Sequence, residues 1–292
     1  LGGNPDALAR KAMLLHAARY AELLDFCRLN PRLTVLSGAG VSTESGIPDY
    51  RSPTGSYSKG HKPMTHDEFV GGEDARRRYW ARSLIGWKPF SAAAPNSGHD
   101  ALARLESAGR VGHILTQNVD GLHQRAGSRA VTELHGTTHT VGCLSCGATE
   151  PRVHLQRRLH ALNFWWLKGF AAEVQPGRLR ADGDAEIDTE HLMQFRVPAC
   201  EACGGVLKPA VTFFGDVVPQ ARKQAALGHA TDCNGMLVVG TSLMVWSAYR
   251  LVVAAAAKEV PIAVLNLGDT RADREGLQHL KVEAPCGATL QR

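Results

Sequence analysis

Four short apolar runs, each closing on glycine or a polar residue, constrain this chain most. They are TVLSG (Thr34 to Gly38), HILTQN (His113 to Asn118), MLVVG (Met236 to Gly240) and IAVLN (Ile262 to Asn266). Helix-like stretches separate them, such as Ala101 to Ala108, Pro219 to Ala230 and Ala248 to Lys258. Strands alternating with helices predict an α/β fold built on a doubly wound parallel sheet. Ligands of such sheets bind just beyond the carboxyl ends of the strands. Each of the four runs ends in residues suited to that place: Gly38-Ala39-Gly40, Gln117-Asn118, Gly240-Thr241-Ser242 and Asn266.

Two segments interrupt the alternation, Ser52 to Pro89 and Val141 to Gly205. Both read as insertions that form a smaller module. The expected division is a Rossmann-like domain from 1–51, 92–140 and 206–292, a helical insertion at 52–91 and a small domain at 141–205. At 292 residues, 44% hydrophobic and 21% charged, the chain is long and apolar enough for one large domain plus a smaller one. The 33 Lys and Arg against 28 Asp and Glu give a net charge of +5. That suits an acidic ligand but does not argue for nucleic acid. The densest basic cluster, Arg76-Arg77-Arg78 with Arg82, reads as a solvated helix face. No apolar run is long enough to span a membrane. The first residue is Leu1, which leaves open whether a targeting segment precedes it.

The seven cysteines form two close pairs and three singles. CLSCG (Cys143, Cys146) and CEACG (Cys200, Cys203) are Cys-x-x-Cys knuckles, each followed by glycine. Four such thiolates suit a closed, tetrahedral, structural Zn²⁺. A redox role needs one reactive pair and not two matched knuckles. The 53 residues from Gly147 to Ala199 exceed an ordinary ribbon, so an insertion loops out between the pairs. The odd count and the pairing point to metal and a reducing compartment. DGDAEID (Asp182 to Asp188) has the look of a calcium loop, but Ile187 stands where that loop needs glycine.

The first run continues as LSGAGVSTESGIPDYR, Leu36 to Arg51. A glycine pair after a strand gives a phosphate a tight turn and exposed N–H groups. The full G-x-G-x-x-G pattern would need glycine at Thr43 and an acidic residue about 20 residues later, and both are missing. Ser42, Ser45, Asp49, Tyr50 and Arg51 instead gather polar, aromatic and cationic groups near the loop. GAGVSTESGIPDYR resembles the glycine-loop signature of the sirtuins, NAD-dependent protein deacylases. By that resemblance Gly38, Ala39 and Gly40 hold the NAD phosphates with Arg51, and Tyr50 shields the reactive face of the nicotinamide ribose. The resemblance implies why the loop departs from the dinucleotide pattern: its cofactor would be cleaved and not used as a hydride carrier.

The resemblance runs from about Leu33 to Cys286. TQNVDGLHQRAG supplies Gln117, Asn118 and Asp120, which it implies bind the nicotinamide riboside; an Asn-x-Asp turn capping the next helix is the plainer alternative. ELHGT supplies His135 as general base, which with Asn118 makes the catalytic pair. GTSLMVWSA supplies Gly240, Thr241 and Ser242 for the adenosine ribose. Asn266 and Cys286 fit the adenine end, although Cys286 also reads as a small buried residue. LKPAVTFFGD resembles the substrate loop: Val211, Phe213, Phe214 and Gly215 with Leu243 and Val245 would hold an extended acylated-lysine peptide by strand addition.

STESGIPDYRS, RYWARSLIGW and the long insertion resemble the class II branch, nearest its mitochondrial sirtuin-four group. The implied activity is NAD-dependent deacylation that releases nicotinamide and O-acyl-ADP-ribose, on acyl groups larger than or other than acetyl. Mono-ADP-ribosyl transfer and a non-catalytic NAD sensor share the cofactor residues. The implied cofactors are NAD and zinc, the partners acylated proteins, without nucleic acid or membrane, and the state a monomer. The implied compartment is the mitochondrial matrix, with the bacterial cytoplasm as alternative. Ala210 departs from the family's usual acidic or polar residue. Tyr79 and Arg82, three apart, share a helix face and could read an acyl carboxylate, or simply pack a basic amphipathic helix. Phe164-Trp165-Trp166 reads as packing on the small module.

Overall fold

The structure, a computed structural model, describes residues 18–170, 179–185 and 192–291. After a helix over 18–29 (α1) come β1 (Leu33–Ser37), a 3-10 turn (Ala39–Ser45), α2 (His66–Gly71), α3 (Glu73–Ala92) and α4 (Ser97–Ser107). There follow β2 (Val111–Thr116), α5 (Leu122–Arg125), β3 (Val131–Glu133), β4 (Gly136–Cys143), β5 (Thr149–Pro151), α6 (Arg152–Leu162) and α7 (Phe164–Phe170). The last third holds β6 (Leu207–Val211), α8 (Gln220–Thr231), β7 (Gly235–Val239), α9 (Trp246–Ala257), β8 (Ile262–Leu265), α10 (Arg271–Glu275), β9 (Leu280–Val282) and α11 (Cys286–Leu290).

Six strands form one parallel sheet in the order β3-β2-β1-β7-β8-β9. This is the Rossmann-like order, and its direction reverses between β1 and β7. The four apolar runs are its four inner strands. β1, β7 and β8 are buried at every residue, as strands covered on both faces must be. One cluster of buried side chains, with Leu36, Val238, Val264 and Leu251, lies on one face. Another, with Val35, Ile114, Val239 and Leu102, lies on the opposite face. The edge strands β3 and β9 carry three residues each, too few to show as runs.

A second, three-stranded antiparallel sheet has the order β5-β4-β6. It reaches beyond 141–205 at both ends, because β4 starts at Gly136 and β6 ends at Val211. Gly136 is the hinge into it: φ is +78°, and a Cβ there would lie 1.9 Å from the Ala210 carbonyl oxygen. Phe69, Trp80 and Leu84 of α2 and α3 pack with Val141, Leu155, Leu159 and Leu207 in one cluster. The two interrupting segments thus share a core. Trp80 is its largest fully buried side chain and donates from Nε1 to Leu207 O at 3.2 Å. Of the aromatic run, Trp166 packs into this cluster while Trp165 stays 78% exposed.

Candidate active site

The switch between β1 and β7 opens a cleft of about 1060 Å³. The backbone is closest packed at its floor. Gly40 N donates to Gly240 O at 2.8 Å, and Gly38 N donates to Val239 O at 3.1 Å. A Cβ on Gly40 would lie 2.8 Å from that Gly240 oxygen, and one on Gly38 2.6 Å from Thr241 Cβ. Only glycine lets the two strand ends meet this closely. The chain then turns through the 3-10 segment, not through a full α-helix.

Gly38, Ala39, Gly40, Tyr50, Arg51, Gln117, Asn118, His135, Gly240, Thr241, Ser242, Asn266 and Cys286 all line the cleft. Gln117 Nε2 donates to Thr241 Oγ1 at 2.9 Å, which ties the end of β2 to the end of β7. Asn266 Nδ2 donates to Leu267 O and Gly268 O at 2.8 and 3.1 Å and orders the loop after β8. Arg51 lies over the Tyr57 ring at 5.0 Å, and Tyr57 packs on Tyr50 at 5.3 Å. Burial, then the Glu44 carboxylate, pushes the Cys286 thiol up to about 12, so it stands as an inert thiol at the cleft wall.

His135 follows β3 and sits between two partners. Its Nδ1 lies 3.0 Å from Gln117 O and its Nε2 2.7 Å from Ser247 Oγ. Desolvation holds its pKa below the usual histidine value; the bond to Gln117 O raises it and Arg222 lowers it. The ring is therefore neutral near pH 7, as a base must be. Asn118 Nδ2 donates to Gly38 O at 3.2 Å and to Ser42 Oγ at 3.0 Å, which aims Asn118 into the cleft beside the glycine turn.

Three of the expected residues do not line the cleft. Asp120 lies behind the wall, 5% exposed, where Ser42 Oγ donates to Oδ2 at 2.8 Å and Leu122 N to Oδ1 at 2.9 Å. Leu243 is not part of a peptide-gripping strand: its φ is +58° and its side chain is fully buried in the core beside Ala248 and Tyr249. The chain must turn there from β7 into α9, and an apolar side chain at that turn goes inward. Val245 remains in the lining, as do Val211, Phe213, Phe214 and Gly215. Tyr79 also lines the cleft and packs on Phe213 at 5.2 Å, but Arg82 does not. Arg82 instead faces the charges of Arg180, Asp184 and Asp182, and its carbonyl oxygen accepts from Ala185 N at 3.3 Å.

That contact shows what the sequence reading missed. The insertion returns as a turn over 179–185 and puts Ala181 and Asp182 into the cleft wall. Gly86 of α3 is its seat; a Cβ there would lie 2.1 Å from Gly183 O. The Asp182 to Asp184 stretch thus has a role, with residues 186–188 of the same motif outside the described residues. Ser247 was also missed. It stands 112 residues from His135 in sequence, and no spacing rule links them.

The four knuckle thiols converge. Cys143 and Cys203 Sγ are 3.5 Å apart, Cys146 and Cys200 Sγ 3.8 Å, and all four lie within 4.8 Å of one another. Four sulfurs at about 2.3 Å around tetrahedral Zn²⁺ stand about 3.8 Å apart, so the set fits this metal with no position left open. Backbone N–H groups of Cys146, then Ser145, pull Cys143 down to about 6, toward the thiolate a metal needs.

This geometry has known counterparts. A model of the Sir2 family matches residues 38–247. The chain therefore belongs to the Sir2 family, the NAD-dependent protein deacetylases and deacylases. NAD-dependent protein deacetylase 2 of Bradyrhizobium diazoefficiens is 51% identical over 268 residues, 92% of this chain and 95% of that protein. NAD-dependent protein deacylase Sirt4 of Drosophila melanogaster is 46% identical, with 92% and 85% covered. The mitochondrial NAD-dependent protein lipoamidase sirtuin-4 of Bos taurus is 44% identical, with 94% and 86% covered. Among solved structures, Sir2 with a p53 peptide and NAD⁺ superposes with a TM-score of 0.72 at 28% identity, covering 93% of this chain and 95% of that one. Sir2Tm bound to a propionylated peptide gives 0.73 at 29%, covering 94% and 96%.

Proposed function

We propose that this cleft removes acyl groups longer than acetyl, and uncharged, from lysine side chains of proteins. One observation carries the reading: Met64, Tyr79 and Phe213, packed in one cluster, form an apolar part of the cleft lining, to which the insertion adds Ala181 and Asp182. Burial alone would raise Asp182, but His61, the Asp184 N–H and Arg180 hold it below its usual range. It stays ionised and repels an acidic acyl chain, while Arg82 is turned from the cleft. Names that include deacylase and lipoamidase among the relatives lend further support.

NAD, when bound, supplies a ribose carbon that releases nicotinamide and takes the acyl oxygen. The glycine turn, Arg51 and the Gly240-Thr241-Ser242 segment would hold its phosphates and adenosine, with Asn266 and Cys286 at the adenine end. Tyr50 would shield the reacting face. Gln117 and Asn118 would hold the nicotinamide ribose, and Asp120 would act from behind the wall through Ser42. His135 Nε2 would take a proton from the ribose hydroxyl, freeing it to close on the acyl carbon. Val211, Phe213, Phe214, Gly215 and Val245 would seat the peptide. The division into a Rossmann-like domain, a helical insertion at 52–91 and a zinc module at 141–205 belongs to the same reading, supported by the shared core of the two insertions. So does a monomer in the mitochondrial matrix, with the bacterial cytoplasm as the second reading.

Mass spectrometry with NAD and a panel of acetyl, lipoyl, glutaryl and hydroxymethylglutaryl lysine peptides tests it. The expected result is O-acyl-ADP-ribose, most from lipoyl and least from the two acidic acyl groups, with none from His135→Ala. Nicotinamide release with ADP-ribose left on protein would instead make the chain a transferase. Faster turnover of glutaryl than lipoyl peptide would overturn the acyl preference.

A further inference from the structure

The hydroxyl of Ser247 meets the proposed base at the atom that has to accept the proton. Gln117 offers His135 a carbonyl oxygen, which can only accept, so Nδ1 carries the hydrogen. In the neutral ring Nε2 is then a bare acceptor, and the Ser247 hydroxyl 2.7 Å away donates to it. Both residues line the cleft.

The hydroxyl is not spent on its own helix. Ser247 is the second residue of α9, whose N-cap, Val245, makes no side-chain cap. Serine near a helix start ordinarily bonds that helix's free N–H groups. Here it reaches across to the residue after β3. The ring of His135 is thus held at both nitrogens, by the end of β2 on one side and the start of α9 on the other.

We propose that Ser247 is the positioning residue of the general base: it fixes the His135 ring with Nε2 turned into the cleft. The inference rests on the deacylase reading above. A hydroxyl suits the place in both protonation states. It donates to the neutral ring and, once Nε2 is protonated, accepts from the new N–H. Nε2 has a single lone pair and the hydroxyl occupies it, so the ribose proton passes through Ser247: Oγ takes the ribose proton as its own hydrogen moves to Nε2, and the serine ends as the hydroxyl it began as.

In this mechanism the base is needed for closing the ribose hydroxyl on the acyl carbon, not for releasing nicotinamide. Loss of Ser247 should separate the two steps. The experiment measures exchange of labelled nicotinamide into NAD, and formation of O-acyl-ADP-ribose, in wild type, Ser247→Ala and Ser247→Thr with one acyl-lysine peptide. In Ser247→Ala the ratio of exchange to product should rise about five- to tenfold, one hydrogen bond's worth of ring positioning. Ser247→Thr keeps the hydroxyl and should bring the ratio back toward wild type. A purely structural serine would lower both rates together, in step with Tm and with the ratio unmoved; that result overturns the proposal, as does faster product formation in Ser247→Ala. Absence of both exchange and product in the wild type strikes the deacylase reading instead, so the two failures are distinct.

Discussion

Ser42 Oγ donates to Asp120 Oδ2 at 2.8 Å across 78 residues of sequence. The same oxygen accepts from Asn118 Nδ2 at 3.0 Å, and His99 Nε2 lies 3.5 Å away. His99 Nδ1 accepts from Asn96 N, so its remaining hydrogen points at Ser42. One hydroxyl therefore orients both the amide in the cleft and the carboxylate behind it. Ser42→Ala removes a bond to a charged group, worth about 1.5–3 kcal/mol. We expect kcat/KM for NAD to fall about tenfold or more, mainly through KM, on the same scale. Thermal unfolding and NAD titrations check this; an unchanged KM for NAD in a folded Ser42→Ala would remove Ser42 from the site.

Much of this was legible in the chain, for physical reasons. Strands buried on both faces read as near-continuous apolar runs, so β1, β7 and β8 stand out, and the inner half of β2 with them; their polar ends mark the cleft. Paired knuckles cannot hide, because four thiolates need fixed local spacing. What could not be read is what faces what. Tyr79 and Arg82 do share one side of α3, but the Gly86 seat puts the returning insertion against Arg82 and leaves only Tyr79 in the cleft. Leu243 follows a binding motif, yet its positive φ sends the side chain inward. Asp120 and Ser247 bond to partners 78 and 112 residues away, Ser42 and His135, and no local pattern encodes such pairs.

The metal module bears directly on the cleft. Cys143 and Cys200 belong to the cluster that also holds Tyr79 and Trp80, with Phe213 packed against it. Removing zinc leaves four close thiols without their common partner, and the small sheet loses its clasp. A strong chelator should release one zinc per chain, dim the near-ultraviolet dichroism of Trp80 and Trp166, and abolish deacylation. Cys146→Ser should behave as the chelated protein does. Full activity in a zinc-free chain, shown by elemental analysis, would remove the metal from the structural account.

Gly86 tests the insertion's hold on the acyl end. A methyl at this position overlaps Gly183 O, 2.1 Å from the Cβ, and also Asp184 C at 2.7 Å. Neither is a flexible side chain, so Gly86→Ala must displace the turn. Overpacking of this kind costs about 1–3 kcal/mol. We expect Gly86→Ala to stay folded, to change the ratio of lipoyl to acetyl turnover at least severalfold, and to leave the KM for NAD near its wild-type value. A uniform loss on every acyl group, with the selectivity kept, counts against the turn as part of the acyl wall.

His123 sets an acid limit to stability. It is 1% exposed, its Nε2 lies 2.9 Å from Ser37 Oγ, and its ring stacks edge-on against His99 at 4.9 Å. Burial, then the neighbouring His99, pushes its pKa down to about 3. A histidine depressed in the folded state binds its proton first in the unfolded chain. Its neutral form is therefore without cost above the unfolded value near 6.5, and stability is lost as pH falls from there toward 3. By pH 5 this one residue should cost about 2 kcal/mol. His123→Gln keeps a hydrogen-bonding group for Ser37 but cannot titrate. The variant should be less stable than wild type at pH 7.5, yet its denaturation midpoint should fall less between pH 7.5 and pH 5. Parallel losses in the two proteins across that interval would show that His123 carries no part of the acid sensitivity.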